Sequence, residues 1–144
     1  MLPSMPKLLR YQNENVLLRY EKDYPNSTLK AKDALHELLK YFWLSVKHKI
    51  DCIRNPENQD LFFPCGMYPE MQEIDDMWHT FLLFTKDYGE FCQKFFGEFL
   101  HHVPKTEENS LSKEEFKIVF ARYLSYIYDH LGEDTVKKWF SVLL

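Results

Sequence analysis

The chain has 144 residues, of which 45% are apolar and 28% charged, and its formal charge is −4. This size and composition predict one globular domain over residues 1–144 and exclude a wholly disordered chain. The acidic balance disfavours nucleic-acid binding, which depends on neutralising phosphate charge. No apolar run is long enough to predict a membrane span. Three scattered cysteines without a CxxC pair, and no signal peptide, favour a reduced, cytoplasmic protein.

The first predicted helix, residues 7–24, has only a weak apolar pattern, and Pro25 interrupts it. The second, residues 28–53, is clearer, because apolar side chains recur along it at steps of three and four residues. Residues 55–68 are a predicted loop, since two prolines and a glycine interrupt them. The apolar residues of this loop are expected to hold it against the core.

Two aromatic-rich helices are predicted next, over residues 70–86 and 88–100. In the second, apolar side chains fall at offsets of 0, 3, 4, 7, 8, 11 and 12 from Tyr88, which is one face of a helix. Gly89 is the expected position of a kink or short break between the two helices. Pro104 disfavours helical backbone before it, so the helix is expected to end near the two preceding histidines.

The last predicted helices cover residues 112–131 and about 134–143. Ser112 and Glu115 have the spacing of a capping box, and Gly132 suits the end of the first helix. No segment alternates apolar and polar residues as a half-buried strand does. Aromatic residues are 17% of the chain and glycine occurs only four times, which favours helices around a bulky core. We therefore predict an all-α fold, a single compact bundle of five to six helices.

One segment combines side chains that bind metal ions. Asp75 and His79 lie four residues apart, so they share one face of a helix. Cys92 lies on the next predicted helix and His102 closes it, so a tight helical hairpin would bring these four side chains together. Their number and types suit one divalent ion, with Zn²⁺ as the first candidate.

The same segment has a simpler interpretation without a metal. Asp75 can accept a hydrogen bond from His79 or a backbone amide, and a cysteine such as Cys92 on an aromatic face is usually a small core residue. The spacing also leaves open whether His101 or His102 faces the site.

Thiol chemistry is a third interpretation. Cys92 would be the nucleophile, with His79 or His102 as its base and Asp75 orienting the base. The aromatic neighbours of Cys92 favour a buried and inert thiol, so Cys65 in the predicted loop is the better candidate for simple reactivity.

Residues 74–104 carry three ordered motifs, which are Ile74-Asp75-x-x-Trp78-His79, Tyr88-x-x-Phe91-Cys92 and Phe96-Gly97-x-Phe99-Leu100-x-His102-x-Pro104. Their order and spacing resemble the signature of the glycine-rich domain-containing protein family, which includes plant, fungal and small bacterial proteins. The resemblance implies a clustered site at the polar positions of the motifs, which are Asp75, His79, Cys92 and His102. The chain departs from the family at Phe81, where many plant members have a second histidine, and it lacks a glycine-rich region.

The leading functional hypothesis is a non-catalytic module that binds another protein and modulates or inhibits it. The absence of a complete catalytic set and the surplus of aromatic residues favour it, because Tyr and Trp are common interface anchors. The candidate anchors are Tyr123, Tyr126, Trp139 and Phe140. A second copy of the chain is one candidate partner. The alternative hypothesis is a metal-binding protein or a metal-dependent enzyme, with Asp76 or Glu73 as the nearest general base.

Overall fold

A computed structural model describes residues 1–103 and 111–140, and all regular secondary structure within these ranges is helical. The α-helices are α1 (Met5–Leu8), α2 (Glu14–Asp23), α3 (Ala31–Arg54), α4 (Gln72–Leu83), α5 (Thr85–Phe96), α6 (Lys113–Leu131) and α7 (Glu133–Trp139), and single 3-10 turns cover Gln59–Leu61 and Pro69–Met71. The predicted all-α class is confirmed, whereas the predicted count of five to six helices is wrong. None of the described helices is long and apolar enough to cross a membrane.

The additional helix comes from the N-terminal segment, where the single helix predicted over residues 7–24 is two helices. The side chain of Ser4 accepts a hydrogen bond from an amide in the first turn of α1, and that of Asn13 does the same for α2. Each helix therefore begins with its own N-cap, which satisfies amides that have no partner inside the helix. The side chain of Asn13 also donates to Asp87 at 2.9 Å, which ties α2 to α5.

α3 is the longest described helix, and it contacts α1, α2, α4 and α6. Its apolar side chains recur at helical spacing and are buried, as the sequence pattern predicts. It begins three residues later than predicted, and Lys30 at the N-cap position makes no side-chain cap. Thr28 instead donates its amide and its hydroxyl to the Glu73 carboxylate, at 2.7 and 2.6 Å. A residue expected to start α3 thus joins α3 to α4.

α4 and α5 are separated at Phe84, where ψ is 68°, and not at Gly89, which lies inside α5. α5 ends at Phe96 because Gly97 adopts a left-handed conformation with φ of 71°. The helix predicted over residues 88–100 therefore begins three residues too late and ends four residues too late. Pro104, which was expected to end this helix, lies outside the described residues.

α6 and α7 form the end of the described chain and pack on each other. Ser112 caps α6 by accepting a hydrogen bond from the Glu115 amide at 3.2 Å, in agreement with the predicted spacing. Gly132, with φ of 89°, separates α6 from α7. The predicted loop between the histidines and α6, and the predicted end of the last helix near residue 143, fall largely or wholly outside the described residues.

The buried apolar side chains form one cluster to which all seven helices contribute. A buried carboxylate joins α3 to α7 across this cluster. The side chain of Glu37 accepts hydrogen bonds from Trp139 Nε1 at 3.0 Å and from Lys40 Nζ at 3.1 Å, and Lys138 Nζ lies 3.8 Å away. Lys40 Nζ also donates to the hydroxyl of Thr135 at 3.3 Å. None of these contacts follows from a sequence pattern.

Candidate metal centre

α4 positions two of the predicted metal ligands. Ile74, Trp78 and Phe81 are buried along one face of the helix, and Asp75 and His79 lie beside this face, one turn apart. The Nε2 atom of His79 is 3.9 Å from Oδ1 of Asp75. One helix therefore presents a carboxylate and an imidazole side by side.

The third ligand, His102, lies in residues 97–103, which we name the return segment. The left-handed conformation of Gly97 costs a glycine little, and it turns the chain out of α5. The return segment brings Nε2 of His102 to 2.7 Å from Oδ1 of Asp75. The rings of His102 and His79 lie 4.6 Å apart between centroids.

Trp78 and Tyr88 hold the return segment in place. Trp78 Nε1 donates to the hydroxyl of Tyr88 at 2.9 Å, and that hydroxyl donates to the backbone carbonyl of Leu100. The Trp78 ring also packs on the His102 ring, with 4.3 Å between centroids. Neither of these hydrogen bonds was predicted from the sequence. A buried indole N–H and a buried phenol each need a hydrogen-bond partner, which is the signal that could have indicated them.

Asp75, His79 and His102 each offer one ligand atom, and these three atoms lie within 4.8 Å of one another. The side chains of Asp75 and His102 are 19% and 20% exposed, whereas that of His79 is 50% exposed. The group therefore lies against the core on one side and faces solvent on the other. His102 joins the group and His101 does not, which answers the question that the spacing left open.

One ligand-atom distance within the group is shorter than in a metal site, and another is longer. Two ligand atoms bound to one tetrahedral zinc ion, each at about 2.0–2.2 Å, lie roughly 3.4 Å apart. The distance from Asp75 to His102 is shorter, at 2.7 Å, and that from Asp75 to His79 is longer, at 3.9 Å. Metal binding would therefore require the side chains to shift, because the three ligand atoms span up to 4.8 Å, and it would require the loss of the proton in the Asp75–His102 hydrogen bond.

Cys92, the fourth predicted ligand, is not part of this group. The aromatic stripe of α5 packs into the core, and Cys92 is fully buried within it. Burial raises the pKa of its thiol. The physical reason is that a thiol on an apolar helix face follows that face into the core, while the three clustered ligands lie at its edge.

The surroundings of the other two cysteines do not support a reactive thiol either. Burial raises the pKa of Cys65 far above its ordinary value. Cys52 Sγ lies 3.4 Å from Nε2 of His48, but the same nitrogen is hydrogen bonded to the Leu61 carbonyl at 2.9 Å. A ring nitrogen that donates to a carbonyl carries a proton, so it has no lone pair to accept one from the thiol.

A pocket of about 630 Å³ opens beside Asp75 and His102. Phe42 and Val46 from α3 and Trp78 from α4 form part of its apolar lining. A pocket of this volume, lined by apolar side chains together with several polar ones, is typical of small-molecule sites. No sequence pattern predicted it, because its walls come from segments far apart in the chain.

The two predicted general bases lie outside this pocket. Burial alone would raise the pKa of Glu73, but hydrogen bonds from Thr28 and Leu29 lower it below its ordinary value. Glu73 therefore serves as a hydrogen-bond acceptor that joins helices. Asp76 accepts a hydrogen bond from the side chain of Gln72 at 2.9 Å.

The four predicted partner anchors are buried in the core of this chain. These residues are Tyr123, Tyr126, Trp139 and Phe140. The hydroxyl of Tyr123 donates to the Gly66 carbonyl at 3.0 Å, and that of Tyr126 donates to Asp51 at 2.6 Å. The aromatic surplus of the chain is used at these positions to fill the core and to hold loops against it.

Over residues 65–131, which is less than half of the chain, the sequence matches the family described as UCP032817-like. The matching family is not the glycine-rich domain-containing protein family, so the resemblance drawn from the three motifs is wrong. Those motifs span the α4–α5 hairpin and the return segment, which lie inside the matched region. No curated protein and no solved structure is significantly similar to the chain.

Proposed function

We propose that this protein binds one divalent metal ion through Asp75, His79 and His102. The observation that carries the proposal is the convergence of three ligand atoms of suitable chemistry from two separate segments, all within 4.8 Å of one another. Two imidazole nitrogens and one carboxylate oxygen are a common ligand set for zinc and for other divalent transition metals. Zn²⁺ remains the first candidate.

Three protein ligands leave at least one coordination position free. In zinc enzymes that position holds a water molecule or the substrate, whereas structural zinc sites have four protein ligands. The half-exposed His79 and the adjacent pocket support an ion that other molecules can reach. We therefore favour a site that binds a ligand through its metal over a purely structural one.

The competing interpretation is a hydrogen-bonded contact without a metal. In that case the 2.7 Å hydrogen bond between His102 and Asp75 would only hold the return segment against α4. His79 separates the two interpretations, because it is half exposed and completes the metal site while contributing little to packing.

The test is elemental analysis by mass spectrometry on untagged protein purified without chelator and then supplied with zinc. We expect about one zinc ion per chain in the wild type and strong loss of zinc in Asp75→Ala and His79→Ala. His101→Ala is the matched control, since it removes a neighbouring imidazole outside the group and should retain the ion. Circular dichroism of each variant shows whether it is folded.

Wild-type protein that takes up no zinc, iron, cobalt or manganese would contradict the proposal. So would a folded His79→Ala variant that retains metal with the affinity of the wild type. In either case the three side chains would be a polar contact that fixes the return segment.

Binding to another protein, with a second copy of the chain as one candidate, stays a prediction. We place it behind metal binding because its predicted anchors are buried. A stoichiometric partner recovered from native lysate, or a dimer in small-angle scattering, would support it. A monomer without a partner in both experiments would count against it. The predicted cytoplasmic location stays a prediction as well.

A further inference from the structure

The pocket beside the three clustered side chains is lined by both apolar and polar side chains. Phe42, Val46 and Trp78 are part of its lining, together with Phe99 and Leu100 of the return segment. Asp75 and His102 belong to the same lining. A ligand in this pocket would therefore contact apolar side chains while one end of it reaches the metal ligands.

The charges around the pocket indicate which kind of ligand end is favoured. At the rim, Lys49 Nζ and Glu98 Oε1 form an ion pair at 3.2 Å, so their charges largely balance. A divalent ion held by one carboxylate and two neutral imidazoles keeps a net charge of about +1. An anionic oxygen is the group that would neutralise this charge and fill a free coordination position.

The size of the pocket bounds the rest of the ligand. A volume of about 630 Å³ lies within the range of small-molecule sites and is too small for a folded partner. The aromatic side chains of its wall favour a flat or ring-shaped apolar body, because aromatic rings pack well on one another.

Building on the metal site proposed above, we propose that this pocket binds a small organic anion with an apolar, ring-sized body. The charged oxygen of the anion coordinates the metal ion, and the body packs against Phe42, Trp78 and Phe99. The metal fixes the charge that is preferred, and the apolar wall fixes the size and shape of the body.

The experiment compares two probes that bind metals in the same way and differ in their bodies. Benzohydroxamate and acetohydroxamate both chelate zinc through two oxygens, but only the first carries a ring. Each is titrated by calorimetry into the full chain loaded with zinc. We expect benzohydroxamate to bind roughly tenfold more tightly or better, because its ring is removed from water in the pocket.

Two exposed phenylalanines provide a matched pair of variants. Phe99 is 47% exposed and lines the pocket, whereas Phe62 is 51% exposed and is not part of its lining. Phe99→Ala should reduce the preference for benzohydroxamate several-fold, and Phe62→Ala should leave it unchanged. Because both side chains are half exposed, neither change should unfold the protein.

Zinc uptake is measured separately for the wild type and both variants, so that two kinds of failure can be told apart. If the chain takes up no zinc, the proposed function fails and this inference fails with it. If zinc binds at Asp75, His79 and His102 but the two hydroxamates bind equally well, only this inference is overturned. Equal preference in Phe99→Ala and the wild type would also overturn it.

Discussion

Glu37 and Asp75 are two carboxylates on neighbouring helices, and each receives a side chain from a later part of the chain. Glu37 is buried, and its partners are Trp139 Nε1 and the ammonium groups of Lys40 and Lys138. Asp75 is partly exposed, and its partners are the imidazoles of His102 and His79. One carboxylate joins α3 to α7, and the other joins α4 to the return segment.

The difference lies in what the partners can do. An indole N–H and a lysine ammonium only donate hydrogen bonds, so the partners of Glu37 cannot become metal ligands while they remain protonated. An imidazole can release its proton and offer a lone pair, so the group around Asp75 can exchange a hydrogen bond for a metal ion. A hydrogen-bonded carboxylate is thus a candidate metal ligand only where its partners can also become ligands.

The largest expected effect is at Glu37. Glu37→Ala leaves the Trp139 indole and the Lys40 ammonium without their buried acceptor, so we expect a loss of about 3 kcal/mol in the free energy of unfolding. Urea denaturation measures this loss. Glu133→Ala, which removes an exposed ion pair with Lys137, is the control and should change stability by less than about 0.5 kcal/mol. Similar losses in both variants would show that the buried contact has no special role.

Metal addition should stabilise the protein through the group of Asp75, His79 and His102, and not through Glu37. At about a hundredfold excess of free zinc over the dissociation constant, the wild type should gain about 2.7 kcal/mol in the free energy of unfolding. Asp75→Ala should lose this gain, and Glu37→Ala should retain it despite its lower starting stability. Urea denaturation with zinc and with chelator tests this. An equal gain in Asp75→Ala would place the bound ion elsewhere.

The carboxylate of Asp51 is partly exposed and accepts hydrogen bonds from two side chains. Burial alone would raise its pKa, but hydrogen bonds from Lys47 and Tyr126 lower it below its ordinary value. Asp51→Asn should therefore cost about 1–2 kcal/mol at neutral pH. A carboxyl pKa that is lowered in the folded state adds stability that is fully present above the unfolded pKa of about 4 and is lost as the pH falls through the lower folded pKa, so the difference from the wild type should shrink progressively below about pH 4. Denaturation midpoints between pH 3 and 7 measure it.

The control for this variant is Asp23→Asn, which breaks an exposed pair with Arg19 and should cost less than about 0.5 kcal/mol at any pH. A pH-independent cost in Asp51→Asn would mean that the loss comes from altered packing and not from the carboxylate charge.

The smallest expected effects are at two glycines, and they have opposite signs. Gly97→Ala places a side chain on a backbone with positive φ and should cost about 1 kcal/mol. Gly89 lies inside α5 with open space around its Cα, so Gly89→Ala should stabilise the protein by about 0.5–1 kcal/mol. Thermal melting measures both. Since Gly97 begins the return segment, its variant should also bind zinc more weakly than Gly89→Ala does.

The helices were predicted best where a single periodic pattern decides them. The long helix α3 was placed to within three residues, because its apolar spacing continues over six turns. The end of α5 was misplaced because Phe99 and Leu100 continue the same apolar spacing past Gly97. Only the left-handed turn at this glycine separates the two pieces, and a hydrogen bond from Tyr88 to the Leu100 carbonyl holds the second piece in place.

The site was predictable in part for the same reason. The pairing of Asp75 with His79 follows from helical spacing alone, whereas the arrival of His102 depends on a turn that no periodic pattern describes. The position of Cys92 outside the group could not be predicted, because a thiol can be a metal ligand or a core residue and the spacing alone does not show which way its helix face turns. The pocket was missed because its walls come from α3, α4 and the return segment.

The two carboxylate contacts join residues that are separated by very different lengths of chain. This difference has a consequence for the order of folding. Asp75 and His102 are 27 residues apart, and Glu37 and Trp139 are 102 residues apart. Closing the longer loop costs roughly 1.2 kcal/mol more in chain entropy. Local contacts generally form first, so we expect the α4–α5 hairpin and its return segment to assemble early and α7 to dock late. The fluorescence of Trp139 would then report the last step of folding.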